Sequence, residues 1–117
     1  MITGMNHTGF VVKDLESSTA FYRDVVGLQV VTSRERQGAP ISHLLGYDDV
    51  HLKIHLLSAG GDHVLELIQY VHPVGAERPT DERNTLGATH LAFNVQDIQQ
   101  TFEQLNSRGG RKLNAPA

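Results

Sequence analysis

Two spacings of hydrophobic and polar positions alternate along this chain. From Asn6 to Lys13 the period is two, with His7, Gly9 and Val11 on one side and Thr8, Phe10 and Val12 on the other, which predicts a strand. Asp14 follows as an N-cap. Leu15, Ser18/Thr19, Tyr22 and Val25/Val26 then recur at helical spacing until Gly27 stops the helix. Leu28 to Arg34 returns to a strand. Gln37 to Asp49, with Gly38-Ala39-Pro40 near its start and Asp48-Asp49 at its end, is expected to be a loop placed as a lid over a site. Val50 to Ser58 alternates His51/Lys53/His55 against Leu52/Ile54/Leu56, and Ala59-Gly60-Gly61-Asp62 is a hairpin turn into a fourth strand, His63 to Tyr70. The first module, residues 1–70, is therefore strand, helix and three strands.

Residues 71–87 are rich in Pro, Gly and charge and read as a linker. The strand-then-helix pattern then begins again. His7 to Leu15 recurs as His90 to Ile98 at a constant offset of 83, which also relates Phe10 to Phe93, Asp14 to Asp97 and Gly27 to Gly110. Ala88 to Gln96 is the second copy's first strand. Asp97 caps a helix with Ile98, Thr101/Phe102 and Leu105 on one face, Gly109-Gly110 stop it, and Arg111-Lys112-Leu113 begins the next strand. The second module, residues 88–117, is thus the start of a repeat of the first. Its counterpart of Glu66 would be position 149, beyond Ala117, so the chain is expected to be a fragment or to have its sheet completed by a partner chain.

Composition narrows the chemistry. The chain has 117 residues and no cysteine, which removes disulfides, thiol nucleophiles and thiolate ligands; any metal must be held by His, Asp or Glu. A net charge of −3, with basic residues scattered, gives no footprint for nucleic acid. No apolar run is long enough for a membrane span, and Met1-Ile2-Thr3-Gly4 leads into a strand without the pattern of a signal peptide, so the expected location is the cytoplasm.

The stripes also nominate a site. If Thr8/Phe10/Val12 pack against the helix, His7 faces the other way. The repeat places His90, Ala92 and Asn94 on the equivalent face, opposite Leu91/Phe93/Val95. On the fourth strand, Leu65 and Leu67 form the packing stripe, which puts Glu66 with Val64, Ile68 and Tyr70. A carboxylate in so apolar a strand is costly unless it is paired or bound to a cation. His7, Glu66 and His90 are therefore the expected ligands of one divalent metal, with open positions for substrate. His55 or His51 is expected to serve the site if their stripe shares its face, Lys53, Arg34 and Arg36 to hold an anionic substrate tail, and Asn94 to orient substrate.

At these residues the chain resembles the vicinal oxygen chelate superfamily, which includes glyoxalase I, methylmalonyl-CoA epimerase, extradiol dioxygenases and the fosfomycin and bleomycin resistance proteins. The resemblance rests on His7 to Leu15, Phe21-Tyr22-Arg23-Asp24-Val25-Val26-Gly27-Leu28, Leu65-Glu66-Leu67-Ile68 and His90 to Val95. It implies an α+β fold of paired βαβββ modules, with a cupped mixed sheet around a divalent metal and helices on the convex side. It implies ligands on the first and fourth strands of each module, onto which His7, Glu66 and His90 fall. The His, Glu, His order is that of glyoxalase I and close to that of the epimerases; the usual fourth ligand lies beyond Ala117.

The expected function is that of a metal-dependent lyase or isomerase moving a proton next to a carbonyl, with Glu66 as ligand and base. Nickel, cobalt, zinc, manganese and iron all remain open as the metal. The expected partners are a small-molecule substrate and a second copy of the chain, since an unfinished module leaves sheet edges that need covering. The alternatives are a metal-free protein that sequesters a drug and an extradiol-type dioxygenase.

Overall fold

A computed structural model describes residues 1–117. The chain divides into two compact units, Met1–Val74 and Gly75–Ala117.

The first unit is built on a four-stranded mixed sheet: β1 (His7–Val11), β2 (Gln29–Gln37), β3 (His51–Ser58) and β4 (Val64–His72). Their order in space is β1-β4-β3-β2. The chain leaves β1, crosses by a helix to the far edge, and returns as an antiparallel meander that sets β4 parallel to β1. Helix α1 (Leu15–Ala20) starts at Asp14, whose side chain accepts from the Ser17 backbone N–H. It continues as a π-helical turn, Phe21–Val26, and ends at Gly27, whose φ of 95° suits glycine. The helical spacing of the sequence thus holds from Leu15 to Val26, but its second half is wound wider than an α-helix.

Pairing sorts the strand residues onto two faces. Leu65 and Leu67 pair with Thr8 and Phe10 of β1 and with Leu57 and His55 of β3. This is the face that α1 covers. Leu57 and Leu67 are fully buried there, and Leu15 and Thr19 of the helix are almost so. The polar groups in that layer are used rather than stranded. Gln69 Oε1 accepts from the Leu15 N–H at 2.8 Å, and Thr19 Oγ1 and His55 Nδ1 are hydrogen-bonded at 2.8 Å. The opposite face carries His7, Gly9 and Val11 of β1, Val64, Glu66, Ile68 and Tyr70 of β4, and Leu56, Ile54 and Leu52 of β3.

Residues 37–49 are not a plain loop. Helix α2 (Ala39–Leu45) lies within them, with proline in its first turn and Gly46, at φ 74°, closing it. Gly38-Pro40 hid it: the pair reads as a turn, yet proline in the first turn also starts helices. Ser42 anchors the segment, since its hydroxyl donates to the Gly38 carbonyl and accepts from the Val50 N–H. Tyr47, just beyond, sets its ring edge-on to that of Tyr70.

The second unit contains α3 (Ile98–Ser107), begun by Asp97, whose side chain accepts from the Gln100 N–H. Phe102 on this helix lies under the ammonium of Lys112 at 5.6 Å. The strands expected at 88–96 and 111–113 do not form. In the first unit, β1 takes its hydrogen bonds from β4. No strand of the four-stranded sheet pairs with 88–96, so its alternating pattern has no such ladder to join.

Candidate metal centre

Glu66 is placed by the backbone. Because Leu65 and Leu67 turn into the helix-covered core, Glu66 must point to the other side of β4. Its direct neighbour on β1 is Gly9, and His7 stands one step along on the diagonal. The two side chains meet: His7 Nε2 lies 3.7 Å from Glu66 Oε1, with the glutamate side chain 21% exposed and the histidine 45%. Gly9 makes the room. A Cβ on it would stand 3.3 Å from Glu66 Oε1, closer than the carboxylate tolerates without moving.

The histidine is also oriented. Asn6 Oδ1 accepts a hydrogen bond from His7 Nδ1 at 2.7 Å. With Nδ1 as the donor, the neutral ring presents its lone pair at Nε2, toward Glu66. Asn6 was not among the residues expected at the site. The signal for it was present, as an amide oxygen beside a candidate ligand.

This pair suits a cation. Donors held at about 2.0–2.2 Å in a four-coordinate site stand roughly 3.4 Å from each other. The Nε2–Oε1 separation of 3.7 Å is close to that, and one imidazole with one carboxylate is a borderline donor set that takes nickel, cobalt, zinc, manganese or iron. No group of three or more His, Asp or Glu side chains gathers into a cage. His90, the third expected ligand, belongs to the second unit, where it is exposed, as is Asn94.

His55 and Lys53 are corrected by the register. Leu56 pairs with Glu66, whereas His55 pairs with Leu67 and Lys53 with Gln69. Both therefore lie on the helix-covered face, and His55 is occupied there by Thr19. The expectation for His55 and His51 required the polar stripe of β3 to share the site face. Pairing with β4 puts Leu56, Ile54 and Leu52 there instead, so the floor beside Glu66 is apolar. His51 also leaves the site: its Nε2 is 2.5 Å from Glu35 Oε1 on neighbouring β2. Elsewhere, burial pushes the Tyr22 phenol above its ordinary value.

These features define a βαβββ module with a histidine–carboxylate pair on the sheet face opposite its helix. Residues 4–117 match the Glyoxalase/Bleomycin resistance protein/Dioxygenase superfamily, and the chain belongs to that family. It is 31% identical to the uncharacterized protein YwkD of Bacillus subtilis over 111 residues, 93% of this chain and 74% of that one. It is 28% identical to an ethylmalonyl-CoA/methylmalonyl-CoA epimerase of Cereibacter sphaeroides, over 97% of this chain and 76% of the epimerase. Among solved structures, a glyoxalase family protein of Bacillus cereus superposes with a TM-score of 0.79 at 22% identity, covering 93% of this chain and 74% of that protein. The fosfomycin resistance protein FosX of Listeria monocytogenes, solved with Mn(II) and sulfate, superposes at 0.55 and 20% identity, over 93% and 74% of the two chains. No helix of this chain is long and apolar enough to cross a membrane.

Proposed function

We propose that this chain is a divalent-metal-dependent enzyme of the glyoxalase type that moves a proton next to a carbonyl, as in lactoylglutathione lyases and acyl-CoA epimerases. The observation that carries this is the His7–Glu66 pair, 3.7 Å apart, with His7 turned by Asn6 to offer Nε2. The bound cation would supply Lewis-acid polarisation of the carbonyl oxygen. The chain's own part is to hold and to accept. His7 and Glu66 would hold the ion, and Asn6 fixes the imidazole against rotation. Glu66 is the base, with Oε2 taking up the proton released beside the carbonyl. Ile54, Leu56 and Ile68 lie on the same face and give the carboxylate an apolar floor. His90 is the proposed third ligand, on the strength of its repeat relation to His7, and Asn94 the proposed orienting group for substrate.

The test is metal content joined to proton exchange. Protein purified without chelator and offered nickel, cobalt, zinc and manganese is expected to retain about one ion per chain. It should then wash the α-proton of an α-keto hemithioacetal or an acyl-CoA epimer into D2O. Retention of no ion by elemental analysis would overturn the proposal, and the metal-free sequestering protein would take its place.

The proposed enzyme is a homodimer. Strands β1 and β2 are both edges of the four-stranded sheet, each with one side unpaired. Sedimentation velocity is expected to give twice the chain mass, and a monodisperse monomer would refute the dimer.

A further inference from the structure

The edge strand β2 changes phase part-way along. Gln29 and Val30 pair with Ser58 and Leu57, but Thr32 pairs with Leu56, so Val31 is an extra residue. This bulge re-aims everything after it. Without it, Arg34 would pair with Lys53 and Arg36 with His51, on the helix-covered face. With it, Thr32 pairs with Leu56, Arg34 with Ile54 and Arg36 with Leu52. Those three β3 residues pair in turn with Glu66, Ile68 and Tyr70. The bulge therefore delivers both arginines to the face that carries Glu66 and sends Glu35 to the other.

Neither guanidinium is in an ion pair. The carboxylate between them in sequence, Glu35, is taken by His51 on the far face. Two uncommitted cations thus flank an apolar floor of Ile54, Ile68 and Leu52, at the opposite side of that floor from the metal pair. Arg34 is two strands across and two residues along from Glu66, which sets their backbones roughly 12 Å apart. An arginine side chain spans much of that distance.

We propose that Arg34 and Arg36 form an anion subsite that selects substrates carrying a carboxylate or phosphate separated from the reacting carbonyl by an apolar spacer. This deepens the metal-dependent reading above and rests on it for the position of the carbonyl. Arg34 is the nearer and bidentate partner, because its planar fork matches a carboxylate or phosphate. Arg36, paired with Leu52 and through it in line with Tyr70, adds charge at the end of the floor. The spacer lies along Ile54 and Ile68. Lys53, expected at the sequence level to share this task, is excluded by facing the other way.

The probes are suberic monohydroxamate and its ω-methyl ester, which share a chelating end and a spacer and differ in tail charge. Calorimetry with manganese-loaded protein is expected to show the carboxylate binding at least about tenfold more tightly than the ester, the worth of a charge-assisted hydrogen bond. The Arg34→Gln/Arg36→Gln double variant is expected to bind the two probes equally. Equal binding to the unaltered protein, or a preference that survives in the double variant, would overturn the subsite. Failure of the metal reading looks different: neither hydroxamate would then bind more tightly with manganese than without it. In that event octanoate, which has no chelating end, decides the subsite alone. Shifts of the Arg34 and Arg36 Nε–Hε NMR signals on adding octanoate would uphold it, and their absence would overturn it.

Discussion

Glu66→Gln is expected to lose its bound metal while keeping its fold. Glutamine preserves the length and volume of the side chain and removes the charge. A neutral amide oxygen is a far weaker donor to a divalent cation than a carboxylate, and His7 alone holds a transition metal poorly. Metal content by elemental analysis should fall from about one ion per chain to near zero. The fold has no comparable stake in the charge. The Glu66 side chain is 21% exposed and lies on the face away from Leu57, Leu65 and Leu67, so the exchange leaves the buried layer untouched. Taking a partly buried carboxylate to a neutral group also relieves desolvation. The melting free energy should therefore move by no more than about 1 kcal/mol in either direction. A variant with the full ion count would place the metal elsewhere. A variant that unfolds would mean that the His7–Glu66 pair is structural and that the proposed chemistry has no base.

The parts of this molecule that could be read from its sequence are those where one stripe of residues decides the matter. Leu65 and Leu67 flank Glu66, and a strand cannot bury both leucines without turning the carboxylate to the other side. His7 and Gly9 alternate with Thr8 and Phe10 in the same way. Helix α3 was legible because Asp97 and the spacing Ile98, Thr101/Phe102, Leu105 agree. On β3 both stripes contain groups that suit either face. Pairing with β4, a long-range property, put Leu56 rather than His55 beside Glu66. The arginines of β2 depended on a bulge at Val31, and no turn residue or glycine there announces one. The strand expected at 88–96 failed for a third reason: alternation describes a side-chain pattern, and a strand also requires a neighbour for its hydrogen bonds.

The division of β4 between its two faces predicts the largest loss of stability in the molecule. Leu67 and Ile68 are adjacent and similar in volume, yet Leu67 is fully buried beneath α1 and Ile68 is only half-buried on the Glu66 face. Leu67→Ala removes methyl and methylene groups from a layer shared with Leu57, Leu15 and Thr19. The helix above is tied to the sheet through Gln69 and His55, so the gap cannot close by simple collapse. The expected cost is about 3 kcal/mol, a large part of the roughly 5–15 kcal/mol that holds a small domain folded. Ile68→Ala should cost about 1 kcal/mol, because its side chain already meets solvent and little new void is made. Urea titration of the two variants gives the comparison directly through the shift in midpoint at unchanged slope. Equal losses, or a greater loss for Ile68→Ala, would mean that the apolar floor beside Glu66 is the true core. The arginines and the metal pair would then line a closed interior instead of an open face, where two unpaired guanidinium groups could not be sustained.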